Sequence, residues 1–194
     1  MDKGFTLDVG QANKIKLAAR RAGATENDIT RLCRGKMLAK ILPVLRGLAA
    51  VNIIEHCINF DASPTVPEGF EVVEHIKAGQ LKFDSTKIIL MTPKTEFNGV
   101  IFGKPYQDQI KELSKRRKII ACNANLLDFY LANPLIIPDE WKGKSIVFWG
   151  TIYENWSGRY VRCLVWNGKR WVETWGCLDG WFGKKTPAAV LVNE

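Results

Sequence analysis

Histidine is scarce in this chain, and the patterns that mark common catalytic chemistries are missing. The 194 residues contain two histidines, His56 and His75, and no H-E-x-x-H, nucleophile-elbow, phosphate-loop or dinucleotide glycine motif. The five cysteines (Cys33, Cys57, Cys122, Cys163, Cys177) are odd in number, widely spaced and without a C-x-x-C pair, which argues against a zinc ribbon or disulfide framework and for a reducing cytosol. No apolar run reaches the ~18 residues of a membrane helix. Met1-Asp-Lys-Gly-Phe-Thr-Leu-Asp8 lacks the charged-then-apolar layout of a signal peptide. No cofactor and no metal site is expected. His56 beside Cys57 reads as core packing rather than as a ligand pair. The carboxylate pairs Glu71/Glu74 and Asp139/Glu140 have no neighbour that would make one an acid and the other a base.

What is present is positive charge in particular places. The net charge is +8. Residues 1–60 hold ten Lys/Arg against five Asp/Glu, and residues 104–118 hold six against two. Residues 61–103 are mildly acidic, and the remainder is close to neutral. The excess therefore falls on helical stretches, where it can attract a polyanion or simply solvate a surface.

Residues 9–22 are rich in helix formers, Gly23 can cap their end, and Thr25-Glu-Asn-Asp28 opens a second helix carrying Ile29, Leu32 and Cys33. Met37 to Leu48 forms a third helical run that Pro43 should kink or split. Leu17, Ala18, Gly23, Thr25, Ile29 and Gly35 resemble part of the helix-turn-helix of phage-repressor-like DNA-binding proteins. That resemblance places Arg31 and Arg34 on the recognition helix. One extra residue before Gly23 departs from the pattern. Two capped amphipathic helices would use the same Gly and Thr.

Val51–Phe60 fits a strand or a buried helix, and the Pro/Gly-rich 61–69 marks a boundary. Residues 70–76 and 80–84 read as a hairpin, 87–93 as a strand, 95–104 as a loop, 106–118 as a helix and 119–121 as a short strand. Asn123 is placed to cap a helix over 124–132, which Pro134 stops, and 138–141 reads as one helical turn.

All seven tryptophans lie between Trp141 and Trp181. This region reads as an antiparallel meander of strands 145–153, 160–166 and 169–175. Asn167-Gly168 predicts a two-residue type I′ turn, setting Arg162 opposite Glu173 and Tyr160 opposite Trp175. A connection over 154–159 sets Tyr153 opposite Tyr160 and Trp149 opposite Leu164. Alternation then gathers Trp149, Tyr153, Tyr160, Leu164, Trp166, Trp171 and Trp175 on one face with the Arg162–Glu173 pair. Ile146, Phe148, Ile152, Val161, Cys163, Val165 and Val172 form an aliphatic face that should pack under residues 124–132. The aromatic face is either a second buried layer or an exposed stacking platform. Trp156 and Trp181 are the tryptophans least easily assigned to a core.

Asn123 to Lys144, Phe148-Trp-Gly-Thr-Ile-Tyr153, Tyr160-Val-Arg-Cys-Leu164 and Pro187-Ala-Ala189 resemble stretches of an uncharacterised family of small bacterial proteins. The resemblance implies a grouping and no chemistry.

The expected fold is α+β: an N-terminal helical unit (1–60) followed by an antiparallel sheet with one or two packed helices (61–194), or one continuous domain. The expected function is non-enzymatic binding of nucleic acid or an acidic protein, away from membranes, through Arg20, Arg21, Arg31, Arg34, Lys115, Arg116, Arg117 and Lys118. The alternative is a carbohydrate- or peptide-recognition module built on Trp149, Tyr153, Tyr160, Arg162, Trp166, Trp171, Glu173 and Trp175. A third reading makes Cys122, at a strand-to-helix junction that can favour a thiolate, a nucleophile with His75 or His56 as base.

Overall fold

Hydrogen bonds at the helix ends shape the N-terminal unit. In the computed structural model, which describes residues 6–51, 55–95, 98–117 and 119–192, the chain divides into two units, Met1–Ile54 and Glu55–Glu194. Helix α1 (Val9–Arg21) begins at a capping box in which Asp8 accepts from the Gln11 N–H at 2.6 Å and the Gln11 side chain accepts from the Asp8 N–H at 3.1 Å. Helix α2 (Glu26–Cys33) repeats the device with Thr25 and Asp28. Helices α1 and α3 (Met37–Leu45) both end in a Schellman motif. At the first, Ala24 N–H donates to Ala19 O at 2.9 Å and Gly23 N–H to Arg20 O at 3.1 Å; at the second, Leu48 N–H donates to Pro43 O at 2.8 Å and Gly47 N–H to Val44 O at 3.0 Å. Gly47, at φ +70°, thus stops α3 at Leu45 rather than at the expected Leu48. Pro43 sits inside the last turn and neither splits the run nor ends it.

The second unit is an α+β fold around a mixed, mostly antiparallel sheet. Its strands are β1 (Cys57–Asn59), β2 (Glu71–His75), β3 (Gln80–Lys82), β4 (Ile88–Met91), β5 (Val100–Phe102) and β6 (Ile119–Ala121), then β7 (Ser145–Asn155), β8 (Gly158–Trp166), β9 (Trp171–Cys177), β10 (Trp181–Gly183) and β11 (Ala188–Val192). Helices α4 (Gly103–Arg117) and α5 (Ala124–Ala132) join them. The main sheet runs β4-β11-β7-β8-β9, with β6 also paired to β11 and β2 to β7. Only the β11–β7 contact is parallel among the described pairs. Two ribbons, β1–β3 and β5–β10, stand beside it.

Three local expectations change. The hairpin of 70–76 with 80–84 does not form: β2 pairs with β7, and β3 pairs with β1, because β7 offers a long apolar edge that a local turn cannot match. Residues 95–104 are not all loop: Val100–Phe102 pairs with β10, and α4 already starts at Gly103. The ambiguous 51–60 segment ends in strand β1, while 52–54 lie outside the described residues.

The meander forms, with a different register at each hairpin. Trp166 pairs with Trp171, so the β8–β9 loop has four residues, Asn167 to Arg170, instead of two. The Asn167 side chain accepts from the Lys169 and Arg170 N–H groups at 3.0 and 2.9 Å, and this local turn replaces the type I′ geometry. Arg162 therefore opposes Trp175, and Tyr160 opposes Cys177; the shift is by two residues, so the faces of β8 and β9 keep their expected parity. Between β7 and β8, Tyr153 pairs with Tyr160 as expected, but a bulge between Val147 and Ile152 puts Ile146, not Trp149, opposite Leu164. The extra residues reverse the parity of the first half of β7.

That reversal decides the cores. Ile146 and Phe148 pack with Leu164, Trp171 and the α5 residues Leu126, Leu127 and Tyr130. Val147 and Trp149 pack with Ile152, Val161, Cys163 and the α4 residues Tyr106 and Ile110. The expected aliphatic face is therefore divided: Ile152, Val161 and Cys163 lie under α4, and α5 covers the other side. Gly150 makes the bulge possible. A Cβ there would stand 2.5 Å from Ala121 O and 2.8 Å from Asn123 N, where β6 crosses into α5.

Candidate functional site

The sequence-derived candidates fall into separate places. Arg20 and Arg21 lie in the last turn of α1, Arg31 in the last turn of α2, and Arg34 at its C-cap. Arg20, Arg21 and Arg34 are exposed, and Arg31 is half-exposed. Lys115 and Arg116 are exposed in the last turn of α4; Arg116 pairs with Glu112 one turn earlier. The side chain of Arg117 and all of Lys118 lie outside the described residues.

The electrostatics of the helical unit follow from its caps. Residues 6–51 carry nine Lys/Arg and three Asp/Glu. Two of those acids are committed to helix N-termini: Asp8 accepts from Gln11, and Asp28 accepts from both the N–H and the hydroxyl of Thr25, at 2.8 and 2.7 Å. The Thr25 hydrogen bonds, together with the nearby Arg31 charge, hold the Asp28 carboxyl below the ordinary carboxylate range. The cations Lys14, Lys16, Lys36, Lys40 and Arg46 are exposed, as are Arg20, Arg21 and Arg34. No residue of α1, α2 or α3 is buried, and Leu17 and Ile29, which a helix-turn-helix would use as its inner contact, are 42% and 38% exposed.

The aromatic residues do not form an exposed platform. The β7 bulge sends Trp149, 2% exposed, to the α4 side, away from the other members of the expected face. Trp171 is buried, and Trp166 is half-buried against it at 5.6 Å between ring centroids. Lys142 Nζ lies 4.5 Å over the Trp166 ring. What the meander does assemble is a cluster around Arg162. Its Nε donates to Glu173 Oε2 at 3.0 Å and its Nη2 donates to Asp128 Oδ1 of α5 at 2.6 Å and also to Glu173. Tyr153 and Trp175 meet edge to face at 5.1 Å, and Phe70 stacks on Trp175 at 4.9 Å. Tyr160 closes the group against Phe70. Burial alone would favour losing the Arg162 charge, but Asp128 and Glu173 outweigh it and hold the guanidinium firmly ionised. Burial raises the Tyr153 phenol, and its hydroxyl donates to Thr65 O at 3.1 Å. The two carboxylates outnumber the cation, so this cluster ties α5 to the meander and offers no excess positive charge to an anion.

The Cys122 reading is corrected by burial. Cys122 does precede the N-cap Asn123, whose side chain accepts from Asn125 N–H at 3.1 Å. Yet the thiol is fully buried, and desolvation pushes its pKa far up instead of down. The histidine that comes near is otherwise engaged: His75 Nδ1 lies 2.9 Å from Thr151 Oγ1 and Nε2 lies 3.0 Å from Phe60 O. Asn123 donates to Phe60 O and Ile76 O at 2.8 and 2.9 Å, so its amide hydrogens are spent there. The Nε2–H tautomer, with the Thr151 hydroxyl donating to Nδ1, satisfies every partner in this network. His56 packs edge to face on Phe129 at 5.2 Å. Glu74 pairs with Lys111 and accepts from Gln107, and Asp139 pairs with Lys142. Alkylation of the native protein should therefore label the exposed Cys33 and Cys57 and spare Cys122 and Cys163 until denaturant is added. Mass spectrometry of the labelled peptides reads this directly, and Cys122 labelling as fast as Cys57 would contradict the packing.

No family model, curated protein or solved structure matches the chain. Sequence reasoning missed a cleft beside the main sheet, lined by residues of β1, β3, β4 and β11. No local motif could have announced it, because its walls come from four separated strands.

Proposed function

We propose that the protein is a non-enzymatic nucleic-acid-binding protein that engages the phosphate backbone through its N-terminal helical unit. The observation that carries this reading is how the unit uses its charges. Asp8 and Asp28 are turned into the helix caps, while Arg20, Arg21, Arg34 and the exposed lysines face solvent. A surface of that kind has a positive outward field along three short helices rather than one compact spot, which suits a polymer of phosphates better than a single anionic group. Arg31 and Arg34, on the helix with the Thr25 capping box, supply contacts to a groove edge or backbone. Lys115 and Arg116 of the second unit add cations of the same sign.

Fluorescence anisotropy with a labelled duplex and a labelled single strand of about 20 nucleotides tests this. Each phosphate contact contributes roughly 0.9 to the slope of log K against log salt, so four contacts weaken binding by about 10²-fold between about 50 and about 200 mM salt. Changing Arg20, Arg21, Arg31 and Arg34 together to alanine should flatten that slope and leave the far-ultraviolet spectrum unchanged. Absence of binding to either strand form at low salt, or an unchanged slope in the variant, would sink the reading. Selective, salt-sensitive binding to an acidic polypeptide instead would reassign the surface to a protein partner.

A further inference from the structure

The cleft in the second unit has a volume of about 630 Å³, within the range of small-molecule sites. Its walls are apolar and come from elements that hold one another in place. Ile58 and Phe60 follow from β1, Leu81 and Phe83 from β3, Ile88 from β4, and Leu191 from β11. Ile58, Phe60, Ile88 and Leu191 are each less than a tenth exposed and belong to the core shared with α5, so the cleft floor is part of the folded core. Phe60 N–H donating to Gly79 O at 2.9 Å and Phe83 N–H donating to His56 O at 2.7 Å extend the β1–β3 ladder at both ends, and Leu81 and Phe83 pack against the core that holds Ile58 and Phe60.

The polar residues of the lining are Lys82, Asp84, Ser85 and Lys87, and their charges are paired. Lys82 pairs with Glu55. Asp84 accepts from the Thr86 N–H and hydroxyl at 2.9 and 2.6 Å, and the Lys87 charge acts on the same carboxylate. The lining holds two cations and one anion, and Glu55 beside Lys82 supplies the second anion, which leaves no excess charge to offset the desolvation of an ionised head group. Ser85, exposed at the mouth, supplies a hydroxyl that can donate or accept.

We infer that this cleft is a binding site for a small neutral molecule with a hydrocarbon body and one uncharged polar end, the body against Ile58, Leu81, Phe83 and Leu191 and the polar end toward Ser85. The site is independent of the nucleic-acid reading, because it uses none of the residues assigned to that function. Taking one methylene out of water is worth roughly fourfold in affinity, so a homologous series reports burial by its slope.

Calorimetric titration of the whole protein with hexanol, octanol and decanol provides the test, with decanoate at neutral pH as the charged counterpart. Saturable binding should tighten by about fifteenfold for each two methylenes added. Decanoate should bind at least about tenfold more weakly than decanol, since its carboxylate meets a charge-balanced mouth. Leu81→Trp fills the cleft and Ser85→Trp obstructs the mouth from an exposed position; each should weaken decanol by about tenfold or more. Because Ser85 is exposed, its variant retains the fold even if the Leu81 variant does not. Decanol that shows no saturable binding, affinity that survives in the Ser85→Trp protein, or decanoate that binds as tightly as decanol would each overturn the inference.

Discussion

Gly150→Ala should lower the unfolding free energy of the second unit by about 3 kcal/mol or more, at the upper end for overpacking a well-filled core. The added carbon would meet Ala121 O at 2.5 Å and the Asn123 N and Cys122 C atoms at 2.8 Å. All three are backbone, so no side-chain rotation relieves the clash. The neighbouring strand cannot retreat cheaply either. Gly150 N–H donates to Cys122 O at 2.9 Å, Cys122 N–H donates to Ala189 O at 3.0 Å, and Gly150 O accepts from Ile76 N–H at 2.7 Å. Moving Cys122 would also disturb Ala124 N–H, which donates to Thr151 Oγ1 at 3.0 Å at the start of α5. With roughly 2–4 °C lost per kcal/mol for a unit of this size, the melting temperature should fall by about 10 °C. Gly168→Ala is the control. Gly168 has positive φ but nothing within 4 Å of its Cβ position, so backbone strain alone should cost about 1 kcal/mol. Thermal unfolding of the two variants side by side separates close approach from backbone strain. Equal losses would show that β6 and α5 yield at that crossing.

The same crossing explains which parts of the fold were legible from the residues. Helix ends were, because their signals are local: Thr25 with Asp28, Asn123 before 124–132, and Gly23 after α1 all cap where their side chains or φ values suit. The meander was legible as a set of strands, and Tyr153–Tyr160 pairing followed from the short loop between them. The bulge in β7 was not. Residues 146–153 are apolar or uncharged and buried on both sides, so no alternation in that run marks where parity changes. The β8–β9 register was missed because the Asn167 side chain builds its own turn; a glycine after asparagine does not distinguish the two loops. Pairings made at long range, such as β2 with β7 and β1 with β3, compete with a plausible local hairpin, and only the assembled core decides between them. The basic residues of the proposed interface could be read directly, as could part of their meaning, since Thr25-Glu-Asn-Asp28 already assigns one acid to a cap. The Arg162 cluster was half-visible: Glu173 shares the meander with Arg162, whereas Asp128 arrives on α5 from 34 residues earlier.

Arg162→Met should lower stability by about 2–3 kcal/mol, and the size of the loss turns on solvent access to what it leaves behind. Removing one member of a buried ion cluster usually costs about 3–5 kcal/mol, because its partners stay buried and unpaired. Here the arginine side chain is 6% exposed, but those of Asp128 and Glu173 are 34% and 42% exposed. Water can therefore take over part of the role of the guanidinium, which reduces the penalty. Methionine retains much of the arginine stem's apolar packing, so the measurement reports mainly the lost charge and its hydrogen bonds. Neutralising the acids in the same background, with Asp128→Asn and Glu173→Gln, should recover about half of the loss, because the uncompensated charges are then gone. In the presence of Arg162, the same two acid substitutions should instead destabilise, since they leave a buried cation with weakened acceptors. The opposite signs of one pair of substitutions in two backgrounds constitute the test, read by denaturant unfolding as a coupling energy. If both backgrounds respond alike, Arg162 holds its place by packing, and its hydrogen bonds to α5 contribute little. If the signs differ as expected, the guanidinium is the tie that fixes α5 on the meander. That tie brings Asp128 of α5 and Glu173 of β9 to one side chain, and Tyr153 and Trp175 pack beside it.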